Sequence, residues 1–262
     1  MILNSSKMKN LLLFFLISTL FISSCKKDAP VNLHPTGSVV FKFNNMVGDS
    51  ALVLNNAKSY VNANNDTFTV QVFKYYISNV KFTKSDGTVF SEKESYHLID
   101  AGDANRTQCT IANVPYGNYT SVSFMIGVDS ARNCSGAQTG DLDPALGMFW
   151  MWDTGYIFAE LVGTSPQDTA TGLNHLFTYA IIGFKGQYNA IKSVGLNFFN
   201  DTVKVSPTTI PQINLKTDVS EWFKTPVNIS IAAVPSTDLP NQTTLNFANN
   251  YADMFTIQSI RN

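Results

Sequence analysis

Phe68-Thr69-Val70-Gln71-Val72-Phe73 alternates apolar and polar side chains in a run rich in β-branched and aromatic residues. Successive side chains of a strand point to opposite faces, so this period reads as β structure rather than helix. The same signature recurs upstream in Ser38-Val39-Val40-Phe41-Lys42-Phe43 and downstream in Val80-Lys81-Phe82-Thr83. Asp86-Gly87 then marks a hairpin, because a tight turn needs positive φ and glycine supplies it. Tyr96-His97-Leu98-Ile99-Asp100, Thr120-Ser121-Val122-Ser123-Phe124-Met125-Ile126 and Val227-Asn228-Ile229-Ser230-Ile231 extend the pattern. Strand-sized runs separated by Asn, Gly, Pro and Thr predict an all-β, antiparallel, sandwich-like domain. Helical signals are short. Asp218 precedes Val219-Ser220-Glu221-Trp222-Phe223-Lys224 as a cap and Pro226 closes that stretch, and a further turn of helix is expected in residues 249–255 before a last strand. With no internal repeat, residues 37–262 form one domain.

The charge balance is Lys+Arg 18 against Asp+Glu 19, a net charge of -1. Nucleic acid is excluded as a partner on that ground, since phosphate binding draws on a surplus of basic side chains. Charged residues are only 14% and aromatic residues 12% of the chain, which suits a large packed core. Three cysteines are too few for a disulfide-built scaffold.

The first residues carry an address. Lys7 and Lys9 precede an apolar run from Leu11 to Ile22 that is too short to span a bilayer and ends in Ser23-Ser24-Cys25. Ile22-Ser23-Ser24-Cys25 looks like a bacterial lipobox, so residues 1–24 are expected to be a signal peptide and Cys25 the lipidated first residue of the mature protein. Residues 25–36, with Pro30 and Pro35, read as the tether between lipid and domain. The expected location is the cell envelope, with the membrane as a partner through the lipid on Cys25.

Chemistry-bearing residues concentrate in one stretch, Gly140-Asp141-Leu142-Asp143-Pro144-Ala145-Leu146-Gly147-Met148-Phe149-Trp150-Met151-Trp152-Asp153, followed by Thr154-Gly155-Tyr156-Ile157-Phe158. If residues 149–153 are extended, Trp150 and Trp152 share one face, and Phe149 and Met151 the other. This block resembles the MbnP family. So, in order, do Tyr75-Tyr76-Ile77-Ser78-Asn79-Val80, Tyr96-His97-Leu98-Ile99-Asp100, Phe124-Met125-Ile126-Gly127-Val128-Asp129 and the ending Asn250-Tyr251-Ala252-Asp253-Met254-Phe255. The resemblance implies an exported copper-binding protein. It also implies a tryptophan oxidised to kynurenine by a dihaem partner of the MbnH type, with Trp150 or Trp152 the modified residue here. An aniline-like amine beside imidazole suits copper, whereas an indole nitrogen is a poor ligand.

One departure bears on that site. Where the family usually has a histidine, this chain has Ala180, in Phe177-Thr178-Tyr179-Ala180-Ile181. A methyl group ligates nothing. The chain's histidines are His34 in the tether, His97 in an expected strand, and His175, which an odd spacing from Ala180 places on the opposite face of a regular strand. The expected metal-site residues are therefore Trp150, Trp152 and His175, with Met148 and Met151 as soft auxiliaries. Cys109 and Cys134, exported together, are expected to form a disulfide. No nucleophile elbow, nucleotide loop or zinc-binding spacing is present, so an enzyme is not expected. Two functions follow: a lipid-anchored copper-binding protein for copper acquisition or handling, or a metal-free envelope module that binds a glycan or protein through exposed aromatics. Exposure separates them, since tryptophans buried beside a histidine favour metal and an exposed aromatic row favours a contact platform.

Overall fold

The computed structural model describes residues 35–262 apart from 56, 137 and 170–174. The signal peptide, Cys25, His34 and nearly all of the tether lie outside the described residues. Between them, the expected strands at 68–73 and 80–83 turn out to be one strand of 18 residues, Thr67–Lys84. It runs through the middle of the larger sheet. Its first half pairs with Ala159–Thr164 and its second half, on the same side, with Gly117–Ile126, while Val89–Ser91 and Tyr96–Asp100 line its other side. Asn79 takes φ 53° inside the strand, where the register to Gly117–Ile126 also shifts, so two short apolar runs become one bent strand.

Thr36–Val47 is the centre of the second sheet, flanked by Gln108–Pro115 and Gln212–Asp218, with Phe255–Arg261 outermost. The two sheets face each other through aromatic rings. Phe41 meets Phe82 at 5.8 Å, Phe43 meets Tyr75 at 5.9 Å, and Phe255 meets Phe124 at 5.1 Å between ring centroids. Edge-to-face pairs of this kind add about 0.5–1.5 kcal/mol each beyond the area they bury. The all-β sandwich-like fold expected from the strand pattern is thus observed. Two pairings are parallel rather than antiparallel: Thr36–Val47 with Gln212–Asp218, and Leu176–Ile181 with Ser236–Thr237.

Other expectations need correction. Residues 227–231 are not a strand, because side chains take their backbone groups one at a time. Val227 N–H donates to Asn250 Oδ1 at 3.0 Å, Asn64 Nδ2 donates to the Ile229 carbonyl at 2.8 Å, and Ile231 N–H donates to Asp66 Oδ2 at 2.7 Å. The late helix is longer than the expected turn, Gln242–Tyr251, and Asn241 caps it by accepting from Thr244 N–H. Asp218 does cap a short 3-10 helix, Val219–Phe223, as its position suggests.

The expected Cys109–Cys134 disulfide is not formed. Both thiols are free, Cys109 on the Gln108–Pro115 strand and Cys134 at the exposed end of the short helix Ser130–Asn133. Different elements hold them, and burial, reinforced by Glu92 and Asp141, pushes the Cys109 thiol well above its ordinary pKa.

Asp218 joins three elements. It accepts from Gly48 N–H at 2.8 Å, from Ser220 N–H at 2.9 Å and from the Ser220 hydroxyl at 2.7 Å, and pairs with Lys216 at 3.1 Å. Burial pushes its carboxyl up, but these donors outweigh burial and hold it below the ordinary value. A depressed pKa in the folded state means stability that is present above the ordinary carboxylate pKa and lost as pH falls through the folded one. Urea unfolding midpoints of the wild type are expected to drop from neutral pH into this acid range, with a smaller drop in Asp218→Asn. Gly163 sets a second constraint: a Cβ there would run into the Thr69 carbonyl oxygen and the Phe177 ring across two strand pairings. Gly163→Ala is expected to cost about 1–3 kcal/mol in a denaturant titration, as overpacking does.

Candidate functional site

The segment from Gly140 to Tyr156 lies where Gly117–Ile126 and Ala159–Thr164 meet end to end against the long strand, at Tyr76. Tyr76 N–H donates to the Phe158 carbonyl at 2.9 Å, and Gly127 N–H donates to the Tyr76 carbonyl at 3.1 Å. The Tyr76 hydroxyl leaves the sheet and donates to the Asp141 carbonyl at 2.8 Å. The Asp141 carboxylate reaches back, accepting from Leu98 N–H at 2.9 Å and from Arg106 Nη1 at 2.7 Å. Asp143 then caps the 3-10 turn Pro144–Leu146 through Ala145 N–H at 2.8 Å, and Gly147 ends it at φ 80°. The Asp-rich motif therefore fixes the loop.

From the other side, the Tyr156 hydroxyl donates to the Leu142 carbonyl at 2.6 Å, and Ile157 N–H donates to the Met148 carbonyl at 2.8 Å. Asn133 accepts from Tyr156 N–H at 2.9 Å and fills the space where a Cβ on Gly155 would stand. That close approach, with φ 74° at position 155, restricts the site to glycine. Asp129 supports Asn133's helix. Burial raises its carboxyl, yet hydrogen bonds from Tyr96, Asn79 and the N–H groups of Arg132 and Ala131 hold it below the ordinary value.

What this frame displays is apolar. Phe149–Met151 and Gly155–Tyr156 form a two-stranded hairpin with a turn at 152–154. Trp150 is 38% exposed, Met151 45% and Trp152 74%. Pro144, Phe149, Trp150, Met151, Trp152 and Asp153 line an open hollow of about 560 Å³. The extended run ends at Met151, so the expected sorting of faces does not hold. Trp152 turns back, its ring centroid 5.2 Å from Phe149, which in turn lies 5.2 Å from Tyr156.

The other expected site residues are elsewhere. Met148 is fully buried and packs into the core. His175 is exposed at φ 63°, its Nδ1 2.8 Å from the Asp168 carbonyl oxygen and its own carbonyl accepting from Ser165 N–H. It sits at the Thr164–Leu176 end of the hairpin whose opposite end, Ala159–Ile181, adjoins the tryptophan loop. Six steps at ~3.3 Å each lead along the strand from His175 to Ile181, roughly 20 Å, so His175 does not join Trp150, Met151 and Trp152. His97 Nε2 lies 2.9 Å from Glu92 Oε2. Ala180 is buried, facing Glu160 across the ladder, and Glu160 in turn faces Lys74. Burial pushes the Glu160 carboxyl up, with Lys74 opposing.

The described residues therefore do not build the histidine-anchored copper site that the family resemblance implies. Among them no group of three His, Cys, Asp or Glu side chains converges to hold an ion. Soft donors remain: the Met151 thioether and two accessible indoles. Tyr76, Tyr156, Arg106 and Asn133 hold the loop, a role that no local sequence signal marks. Asp129-Ser130 is a readable helix cap, but nothing local says that Asn133 packs on Gly155.

The MbnP family model matches residues 36–252. MbnP from Methylosinus trichosporium has a similar fold, with a TM-score of 0.56 at 11% identity over 85% of this chain and 98% of that chain. No curated protein matches. The frame itself is open to test. Removing the Asp141 carboxylate by Asp141→Ala leaves Leu98 N–H and Arg106 without their acceptor and is expected to cost about 1.5–3 kcal/mol, as for hydrogen bonds to charged groups. Limited proteolysis should then cut within residues 143–155 sooner than in the wild type.

Proposed function

The chain belongs to the MbnP family, and from that premise we propose that it is an exported, Cys25-lipidated envelope protein that handles copper at its tryptophan loop rather than in a histidine-anchored pocket. The observation that carries this reading is the joint exposure of Trp150, Met151 and Trp152 on one rigidly framed loop. Thioether and π-rich donors are soft and suit Cu(I) better than the harder divalent ions. Both indoles are open to an oxidising enzyme, so a dihaem partner of the MbnH type would reach either without unfolding the domain. Conversion to kynurenine would supply an amine ligand beside Met151. With Ala180 in place of the family histidine, imidazole contributes nothing at that position, and the binding is expected to be weaker and more selective for Cu(I). No catalytic role is proposed.

A second reading draws on one specific observation. Exposed aromatic rings with no histidine beside them among the described residues also suit stacking against a sugar or a protein surface. Elemental analysis and intact mass of the protein exported from residue 26 onward, followed by anaerobic Cu(I) titration against a competing chelator, distinguish the two. Copper handling is expected to give stoichiometric uptake. Met151→Leu should then weaken it at least about tenfold, ~1.4 kcal/mol. Peptide mapping is expected to place any tryptophan oxidation at Trp150 or Trp152. A protein that takes up neither Cu(I) nor Cu(II), with or without the modification, would overturn copper handling and leave the contact platform.

A further inference from the structure

The point at which the chain enters the described domain lies at one end of the sandwich. The Pro35 carbonyl accepts from Tyr116 N–H at 3.0 Å, Thr36 pairs with Pro115, and Gly37 lies against Val205 and Ser206. Lys84, at the end of the long strand, donates to the Tyr116 carbonyl at 3.3 Å. Arg261 faces Gln212 at this end, and Asn262 bonds both Thr202 and Lys204.

Two side chains stand out from this end. Ile210, next to the Pro211 whose carbonyl accepts from Val40 N–H, is 70% exposed. Phe199 is 91% exposed, at the tip of the turn between Lys192–Asn197 and Val203–Val205. Its φ of 49° is a left-handed conformation that bulky residues rarely adopt. Asn200 is next to it, of a type that tolerates such a conformation far better. The fold thus keeps a strained phenylalanine in water with no protein partner to cover it.

From these observations we infer that this end of the domain rests on the lipid surface, with Phe199 and Ile210 dipping into the interface while the tryptophan loop faces away. The inference rests on lipidation at Cys25. Ten residue steps lead from Cys25 to Pro35 and span at most roughly 35 Å when fully extended, so the end from which the tether leaves is held closest to the bilayer. Lys84, Lys204 and Arg261 against Asp86 and Asp201 leave a surplus of a single positive charge at this end, so apolar insertion more than charge directs the contact. The tryptophan loop is fixed at Tyr76, eight residues along the strand from Lys84. At ~3.3 Å per residue that lifts it about 26 Å from this end.

The test uses the lipidated full chain in phosphatidylethanolamine–phosphatidylglycerol vesicles. Single spin labels go at Phe199→Cys, Ile210→Cys and Trp152→Cys in a background with Cys109→Ser and Cys134→Ser, since both thiols are at least partly accessible. On membrane binding, the labels at 199 and 210 are expected to lose accessibility to an aqueous nickel chelate and gain accessibility to oxygen, with the label at 152 unchanged. Protein that carries the acyl mass and sediments with vesicles, yet keeps labels 199 and 210 as water-accessible as 152, would overturn the orientation alone. A label at 152 that enters lipid instead would overturn both the orientation and the outward-facing loop. Protein without acyl mass would remove the lipidation and the inference with it.

Discussion

The strand Thr67–Lys84 is the constraint from which the rest follows. One face of it supplies Tyr75 and Phe82 to the aromatic core shared with the smaller sheet. One of its edges accepts two different partners, Ala159–Thr164 and Gly117–Ile126, meeting at Tyr76. Two strands that meet end to end leave a discontinuity in the ladder, and backbone groups there need other partners. The Phe158 and Gly127 bonds to Tyr76 close part of it. The tryptophan loop sits at that place and is secured by the hydroxyl that Tyr76 sends out of the sheet.

Much of this architecture was legible because alternation is a local signal. Phe41, Phe82 and Phe124 could each be placed on a buried face from neighbouring residues alone. What alternation does not encode is joining. Nothing near Ser78 or Asn79 says that two apolar runs continue as one bent strand, since a bulge depends on the partner strand as much as on the bulged one. Residues 227–231 show the converse. They carry the period of a strand, but Asn64, Asp66 and Asn250, far away in sequence, satisfy their backbone groups instead. The helix Gln242–Tyr251 starts earlier than the sequence suggests, because its first turn, Gln242-Thr243-Thr244, offers no apolar period.

The site divides along the same line. The motif around Asp141 and the tryptophans could be found from sequence, and so could the alanine at position 180, where the resemblance implies a histidine. The role of Asp141 could not, because its three donors, Leu98, Arg106 and Tyr76, come from three separate elements. His175 illustrates the limit of reading by spacing: five residues from Ala180 along the chain, it stands at the far end of a hairpin, and distance along a strand decides what face arithmetic leaves open. Cys109 and Cys134 make the same point for redox chemistry, where compartment suggests a bond that placement does not make.

The loop is held largely through main-chain atoms: the carbonyls of Asp141, Leu142 and Met148 and the N–H of Tyr156 carry most of the fixings. Main-chain atoms are the same whatever side chain is attached. Side chains in residues 149–153 can therefore be exchanged without removing these main-chain fixings. Such a division separates what holds the loop from what it displays, and the buried Ala180 lies on the scaffold side of it.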